Sequence, residues 1–550
     1  MKKYFAKLLI IGMLNIVTFT IFAQEIVSPL NIPLFLSGNF GELRNDHFHA
    51  GIDMKTQGVT GFPVRSVKDG YIARISVSPY GYGRAVYINH PDGTTSVYGH
   101  LERFASRIEE AVRDSQYLKE SFSVNLNFSP DEFPLKQAET FAYSGNTGGS
   151  GGPHLHFEFR DTRTEKVIDA LPYFRSFIKD NRPPDIRGVM LFPQAGRGVV
   201  EGSVVNLELP QTKTVTAWGS LGVGIKAYDR MDETTNIYGV KEIIFRLDGV
   251  EIFHSYMDGF FFEESRYINS FIDWNEWKTR RSFYMKSFIE PGNKLGIYRN
   301  SRFNGIFTIS EERAYNCQYE LIDDYGNATS FTFTIIGKKS DIPEAQKGGL
   351  TWYFDRNNSY SDKGIELELP MGSLYSDIST DVYTLSGDNV YSPVYVIGDR
   401  APLHTYCPVT LDITNDSYQD PNKYGIVAVN GNQVSWIGGK YDNGKVSGRI
   451  RELGRYTVMV DEKPPSITPI RPAQWASSRR IAFRISDDLS GIETYRGTID
   501  GKFALFEYDA KSNLLFCNFD SKRMSKSPRE VQLTVIDGAG NTNVYSTFIR

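Results

Sequence analysis

Cysteine is nearly missing from this chain: three residues in 550, Cys317, Cys407 and Cys517, all in the latter half and far apart. An odd number at such spacing builds neither a disulfide framework nor a local metal cluster, so three buried free thiols are expected. Charge of one sign is missing too. The 61 basic and 65 acidic residues are mixed along the chain and leave a formal net charge of -4, which excludes the basic footprint that gathers nucleic acid. No long uncharged apolar run follows residue 23, so no later membrane span is expected. Proline and glycine, at 25 and 49, are too few for a low-complexity chain, whereas 32 Tyr and 36 Phe suit aromatic-rich β-structure. At 550 residues the length implies three or four domains.

Residues 1–23, "MKKYFAKLLIIGMLNIVTFTIFA", place Lys2, Lys3 and Lys7 ahead of an apolar run that ends at the small Ala23. This is the pattern of a secretory signal peptide, with a retained membrane anchor as the other reading. No cysteine lies near Ala23, which excludes a lipid anchor there. The expected location is the periplasm or cell envelope, or the surrounding medium, with no stable membrane insertion once the signal is removed.

Short alternating strands dominate residues 24–179. In "PVRSVKDGYIARISVS" a turn at Asp69-Gly70 is expected between strands, with Tyr71, Ala73, Ile75 and Val77 on one face. In "RAVYINHPDGTTSVYGHL" the turn is Pro91-Asp92-Gly93. Helical spacing of Phe104, Ile108, Ala111 and Val112 predicts a helical insertion over about 102–135. Two junctions then read almost alike, "DNRPPDI" (180–186) and "DEKPPSI" (461–467), and tandem prolines hold a chain extended. The residues beyond the two junctions match as well. "IKAYDRMDETTNIYGVKEIIFRLDG" resembles "FRISDDLSGIETYRGTIDG", and "YELIDDYGNATSFTFTI" resembles "LTVIDGAGNTNVYSTFI". Two copies of one β-sandwich module are therefore expected, at 180–340 and 461–550, flanking a β-rich unit at 341–460. The Asp-x-x-Gly-Asn stretches from Asp323 and Asp537 read as turn chemistry, because the oxygens that calcium needs are not gathered in one loop.

Six of the eight histidines fall before residue 160: His47, His49, His90, His100, His154 and His156. In "GGSGGPHLHFEF" two residues of a strand separated by one share a face, so His154 and His156 project into one site, where one imidazole can bind metal while the other handles protons. In "NDHFHAGIDMK" the small Ala50-Gly51 step lets His49 and Asp53 aim at one ion. Two imidazoles and a carboxylate with a fourth position open form a catalytic zinc site rather than a structural one. His90 reads as a turn-stabilising imidazole, Asp46 as a residue able to orient a ligand imidazole, Tyr98 and Tyr143 as packing residues with a lesser case for lining a groove, and His254 and His404 as bland.

"HAGIDMK", "YGHL" and "SGNTGGSGGPHLHFEF" together resemble the three successive signatures of the lysostaphin-type (LytM-like) zinc metalloendopeptidases of bacterial peptidoglycan, over about residues 38–172. The resemblance implies one zinc per chain held by His49, Asp53 and His156, with His154 and His100 flanking the bound water and either able to act as base. It also implies peptidoglycan as the partner and hydrolysis of cross-link or stem peptides as the activity. The other reading is a wall-binding scaffold or activator of other hydrolases. Spacing selects His49 over His47, since four residues beyond His47 lies Gly51, which has no side chain to offer. The expected architecture is mainly β: an antiparallel-sheet peptidase domain with a helical insertion, then about three β-sandwich, Ig-like modules.

Overall fold

The computed structural model describes residues 25–387, 391–524 and 530–549. The signal-like segment 1–23 lies outside them. Among the described residues no helix is long and apolar enough to cross a membrane, and the architecture is mainly β.

The first domain is built on an antiparallel sheet whose strands run Leu36–Gly38, Ile52–Lys55, His154–Asp161, Thr94–Gly99, Arg84–Asn89, Gly70–Val77 and Val124–Asn127 in spatial order. Strand Gly70–Val77 departs from the simple alternation. A bulge between Ile72 and Arg74 inserts one residue, so Ile72, Ile75 and Val77 face the core while Tyr71 and Ala73 do not. The Asp69-Gly70 turn joins strands of different sheets, because Pro63–Arg65 pairs with Thr140–Tyr143 instead. The Pro91-Asp92-Gly93 hairpin forms as expected, with Val86 opposite Tyr98.

In the insertion the helix covers only Ser106–Leu118 and buries Ile108, Val112 and Gln116 at successive four-residue steps. The chain then returns to the β conformation, and Val124–Asn127 pairs with the edge of the sheet.

The two near-copies share a pairing scheme. In the first, Asp185–Val200 pairs with Thr214–Tyr228, and Glu242–Leu247 pairs with both Val250–Tyr256 and Ala314–Ile322, which in turn pairs with Ala328–Gly337. In the last, Ser466–Pro469, Arg480–Ser486, Ile492–Ile499, Lys502–Phe503, Glu530–Asp537 and Thr542–Phe548 repeat those partnerships. They differ in closure. A parallel pairing of Thr214–Tyr228 with Ala328–Gly337 merges the first copy into one sheet, whereas the last copy keeps two four-stranded sheets. Residues 350–461 form a separate β unit around Trp352, Ile397, Leu411 and Ile450. Cys317, Cys407 and Cys517 are free and buried.

The modules do not trail from the first domain. Phe40, Phe48 and Ala50 share a core with Phe253, Phe260 and Phe271 of the next module, and Gly259–Phe260 extends the first domain through Val167–Ile168. The last module folds back onto the inserted helix through Arg523 with Glu110 (2.8 Å) and Asp114 (2.6 Å), and onto the strand Arg84–Asn89 through Glu507 with the buried Arg84 (2.6 Å). Its Lys511 donates to the main-chain carbonyl of Asn146.

Candidate metal centre

Strand register brings the sequence motifs together. His156 lies directly opposite Asp53 on one side and Gly99 on the other. A Cβ at Gly99 would sit 3.3 Å from the His156 Cβ, so glycine leaves room for the imidazole to stand over the sheet. His49 arrives differently. Residues 47–51 lie outside any regular strand, and the strand begins only at Ile52, so His47 and His49 do not share a strand face. Between them Phe48 is driven into the core against Phe260 and Phe271, and its N–H donates to Ser265 Oγ at 2.9 Å. That anchor turns His49 inward and leaves His47 exposed beside Asp46.

Three donor atoms converge. His49 Nε2 lies 3.1 Å from Asp53 Oδ1 and 3.1 Å from His156 Nδ1, and His156 Nδ1 lies 2.9 Å from the same Asp53 oxygen. Their orientation is set from outside. His49 Nδ1–H donates to the Asn39 carbonyl at 2.7 Å, which leaves the Nε2 lone pair facing inward. His156 Nε2–H donates to Glu158 at 2.8 Å, which leaves its Nδ1 lone pair facing inward. Two lone pairs and a carboxylate oxygen therefore meet within hydrogen-bonding distance with no proton assigned between them. A cation resolves that arrangement, and the mixed N and O donor set suits zinc.

With no cation between the donors, a proton on His156 takes the place of the positive charge. Burial would raise Asp53, yet His49 and hydrogen bonds from His154, His156 and His49 hold it well below the usual carboxylate range. Burial opposes charge on His156, but Asp53 and Glu158 outweigh it and raise it to about 9. Glu158 is fully buried and kept ionised, its pKa near 2, because Arg160 and His156 overcome its desolvation. Burial dominates at His49 and lowers it. Arg44 holds the outer Asp53 oxygen at 3.3 Å, leaving Oδ1 for the centre.

His154 and His100 stand at the rim, their rings 4.7 Å apart between centroids. His154 Nδ1–H donates to the Gly152 carbonyl at 2.8 Å, so Nε2 faces Asp53 Oδ1 at 3.4 Å. His100 Nδ1–H donates to the Thr147 carbonyl at 2.8 Å. His100 also sits at φ 57°, a left-handed conformation that non-glycine residues adopt at a cost and that clusters at functional sites. Burial, then His156 and His154, push it down to about 3, so its imidazole is neutral. Gly151 and Gly152 have open space where a side chain would be, which leaves room for a substrate backbone beside the rim.

Other candidates lie elsewhere. Asp46 pairs with His47 and reaches Arg266 at 3.6 Å, so it orients no imidazole of the cluster. His90 is held between the Asp69 carbonyl and Ser96 Oγ. Tyr98 is buried in the core with its hydroxyl on the Val67 N–H, and Tyr143 lies under Arg103. His254 pairs with Glu242, and His404 stacks on Tyr267. Glu158, Tyr82 and Asn39 were not singled out from sequence. Glu158 was legible as the next same-face residue after His156 in "HLHFE", whereas Tyr82, which donates to Glu158 at 2.5 Å, carried no local signal.

Fold and site together define a mainly β domain with a buried His-Asp-His cluster suited to a metal ion. Comparison with known proteins gives matches at the level of domains: residues 47–131 match Peptidase family M23, and residues 350–461 match the Zu5-like domain. The chain is 35% identical over 112 residues to the DD-carboxypeptidase/endopeptidase Mpg of Neisseria meningitidis serogroup B, covering 20% of each protein. It is 27% identical over 132 residues to the glycyl-glycine endopeptidase ALE-1 of Staphylococcus capitis, covering 23% of this chain and 29% of that one. The catalytic domain of lysostaphin from Staphylococcus simulans is a structural match at 21% identity and TM-score 0.20, over 26% of this chain and 92% of that domain. The chain thus spans about a fifth of the length of its Neisseria relative. It carries a domain of peptidase family M23.

Proposed function

We propose that the first domain is a zinc metalloendopeptidase, exported from the cytoplasm, that hydrolyses peptide bonds in peptidoglycan cross-links or stem peptides. The observation that carries this reading is the inward convergence of His49 Nε2, Asp53 Oδ1 and His156 Nδ1, each fixed by an outer partner. The leader-like residues 1–23 motivate export, and the endopeptidase names of the relatives motivate the reaction.

His49, Asp53 and His156 would hold zinc, which when bound supplies a Lewis acid that lowers the pKa of water toward about 7 and polarises a carbonyl. The protein's own part is proton movement and orientation. His154 and His100 each keep a proton on Nδ1 by donating it to a main-chain carbonyl, so each presents Nε2 as an acceptor. One of them takes the proton of the attacking water at Nε2 and returns it to the leaving amine nitrogen. The other accepts a hydrogen bond from that water at Nε2 and orients it, the role open to His100, whose imidazole stays neutral. Each role is worth about 100- to 10,000-fold. His154 lies nearer the carboxylate, which stabilises the imidazolium formed on proton uptake, so it is the better base.

The test is mature protein on cell-wall sacculi with and without chelator. Chelator-sensitive release of new amino termini is expected. No release on any wall chemistry, with about one zinc bound per chain, would reject hydrolysis. No zinc, together with normal folding of His49→Ala, would favour a scaffold.

A further inference from the structure

A second cluster of potential ligands lies where the first domain meets the next module. Asp180, Asp229 and Asp323 each direct a carboxylate oxygen to a common point, with the oxygens all within 4.8 Å of one another. Asp180 belongs to the connector before the tandem prolines, Asp229 follows the strand Thr214–Tyr228, and Asp323 opens the turn before Ala328–Gly337. All three are buried, with Asp180 6% and Asp229 2% exposed.

Most of their oxygens have donors. Asp323 Oδ1 accepts the N–H groups of Tyr325 and Asn327, each at 2.8 Å, and Oδ2 accepts from the Asn327 amide at 2.7 Å. Asp180 Oδ1 accepts the N–H of Arg182 at 3.0 Å. Asp180 Oδ2 and Asp229 Oδ1, by contrast, are buried and meet no donor at all. A buried carboxylate oxygen without a partner is costly, and two of them beside a third carboxylate call for a positive group. Lys241, which reaches Asp324 beside Asp323, is engaged by Asp169 and by Asp324 at 3.1 Å.

We propose that Asp180, Asp229 and Asp323 bind a calcium ion that ties the connector to the end of the first β-module. The donors are all hard oxygens with neither nitrogen nor sulfur among them, the set that calcium prefers. Magnesium is usually held by one or two carboxylates and keeps several waters, whereas calcium takes more protein oxygens, as three converging carboxylates offer. Water would fill the remaining positions of the shell. Without a cation, burial and neighbouring carboxylates push Asp229 to about 9 and Asp180 to about 7, so the cluster would retain protons at neutral pH. The last module supplies an internal reference at the corresponding Asp461, Asp487 and Asp537. There both oxygens of Asp461 and both of Asp537 meet N–H donors and Asp487 is only half-buried, so the proposal is confined to the first cluster.

The test is isothermal titration of calcium chloride into the full mature chain, stripped of metals and reloaded with one equivalent of zinc, alongside a thermal melt. Calcium-dependent heat and a raised melting midpoint are expected. Both should survive in His49→Ala, weaken at least tenfold in Asp229→Asn and Asp323→Asn, and be at least tenfold weaker with magnesium chloride. Asp229→Asn is the deciding variant, since its Oδ1 has no donor to lose, and circular dichroism with retained zinc shows that it has folded. Absence of any calcium effect in the wild type, or an unchanged calcium site in both aspartate variants, would overturn the proposal.

Discussion

The His49–Asp53–His156 and Asp180–Asp229–Asp323 clusters are assembled by the same device, strand ends and loops distant in sequence brought to one point, yet they differ in what the donors can do. An imidazole has two nitrogens, so a carbonyl or carboxylate behind it fixes which one faces inward. Asn39 and Glu158 do this for His49 and His156. A carboxylate only accepts, so the aspartate cluster offers charge and hard oxygen without a directed lone pair. The contrast teaches that the ion each region suits is decided as much by the partners behind the donors as by the donors themselves.

That comparison can be broken at several points, in descending order of effect. His49→Ala is expected to reduce hydrolysis of sacculi to the level of the chelated protein and to empty the zinc site by metal analysis, leaving calcium binding intact; a matching loss of both would show the regions to be one cooperative unit. His154→Ala and His100→Ala should each lower kcat by about 100- to 10,000-fold while zinc content stays at the wild-type value, measured by steady-state kinetics beside metal analysis. Glu158→Gln keeps the shape but weakens the acceptor behind His156, so zinc affinity should fall about 10- to 100-fold in a competition titration. Asn327→Ala and Asn541→Ala remove equivalent amides, which donate to the carbonyls of Asp180 and Asp461 and to the carboxylates of Asp323 and Asp537. Each should cost its own module about 1–3 kcal/mol in denaturant unfolding, with kcat unchanged.

Much of the candidate site was legible because its ligands obey local periodicities. His154 and His156 share a face by the two-residue repeat of a strand, and Glu158 continues that face. His49 and Asp53 are four apart across a small-residue step. The part that was not legible depends on non-local packing. His49 points inward because Phe48 is captured by a module more than two hundred residues away, through Ser265, Phe260 and Phe271. The bulge at Ile72–Arg74 likewise moved the core face of one strand in a way that alternation alone does not register. The return of the last module onto the inserted helix left no trace in the sequence beyond ordinary surface charges, Glu110 and Asp114 on one side and Arg523 on the other.

What the sequence determined by itself is the chemistry available: which residues can ligate, which can carry protons, and that one β-module occurs twice with the same Asp-x-x-Gly-Asn turn. These depend on side-chain type and short-range spacing, which are written in the chain. Tertiary structure decided what those groups face. The aspartates read as turn residues do cap their turns, Asp323 and Asp537 alike. Only packing brought Asp180 and Asp229 to the first of those turns and left two buried oxygens there without a donor. Oxygens not gathered in one loop were gathered from three, because burial acts on whatever the fold brings together, regardless of its distance along the chain.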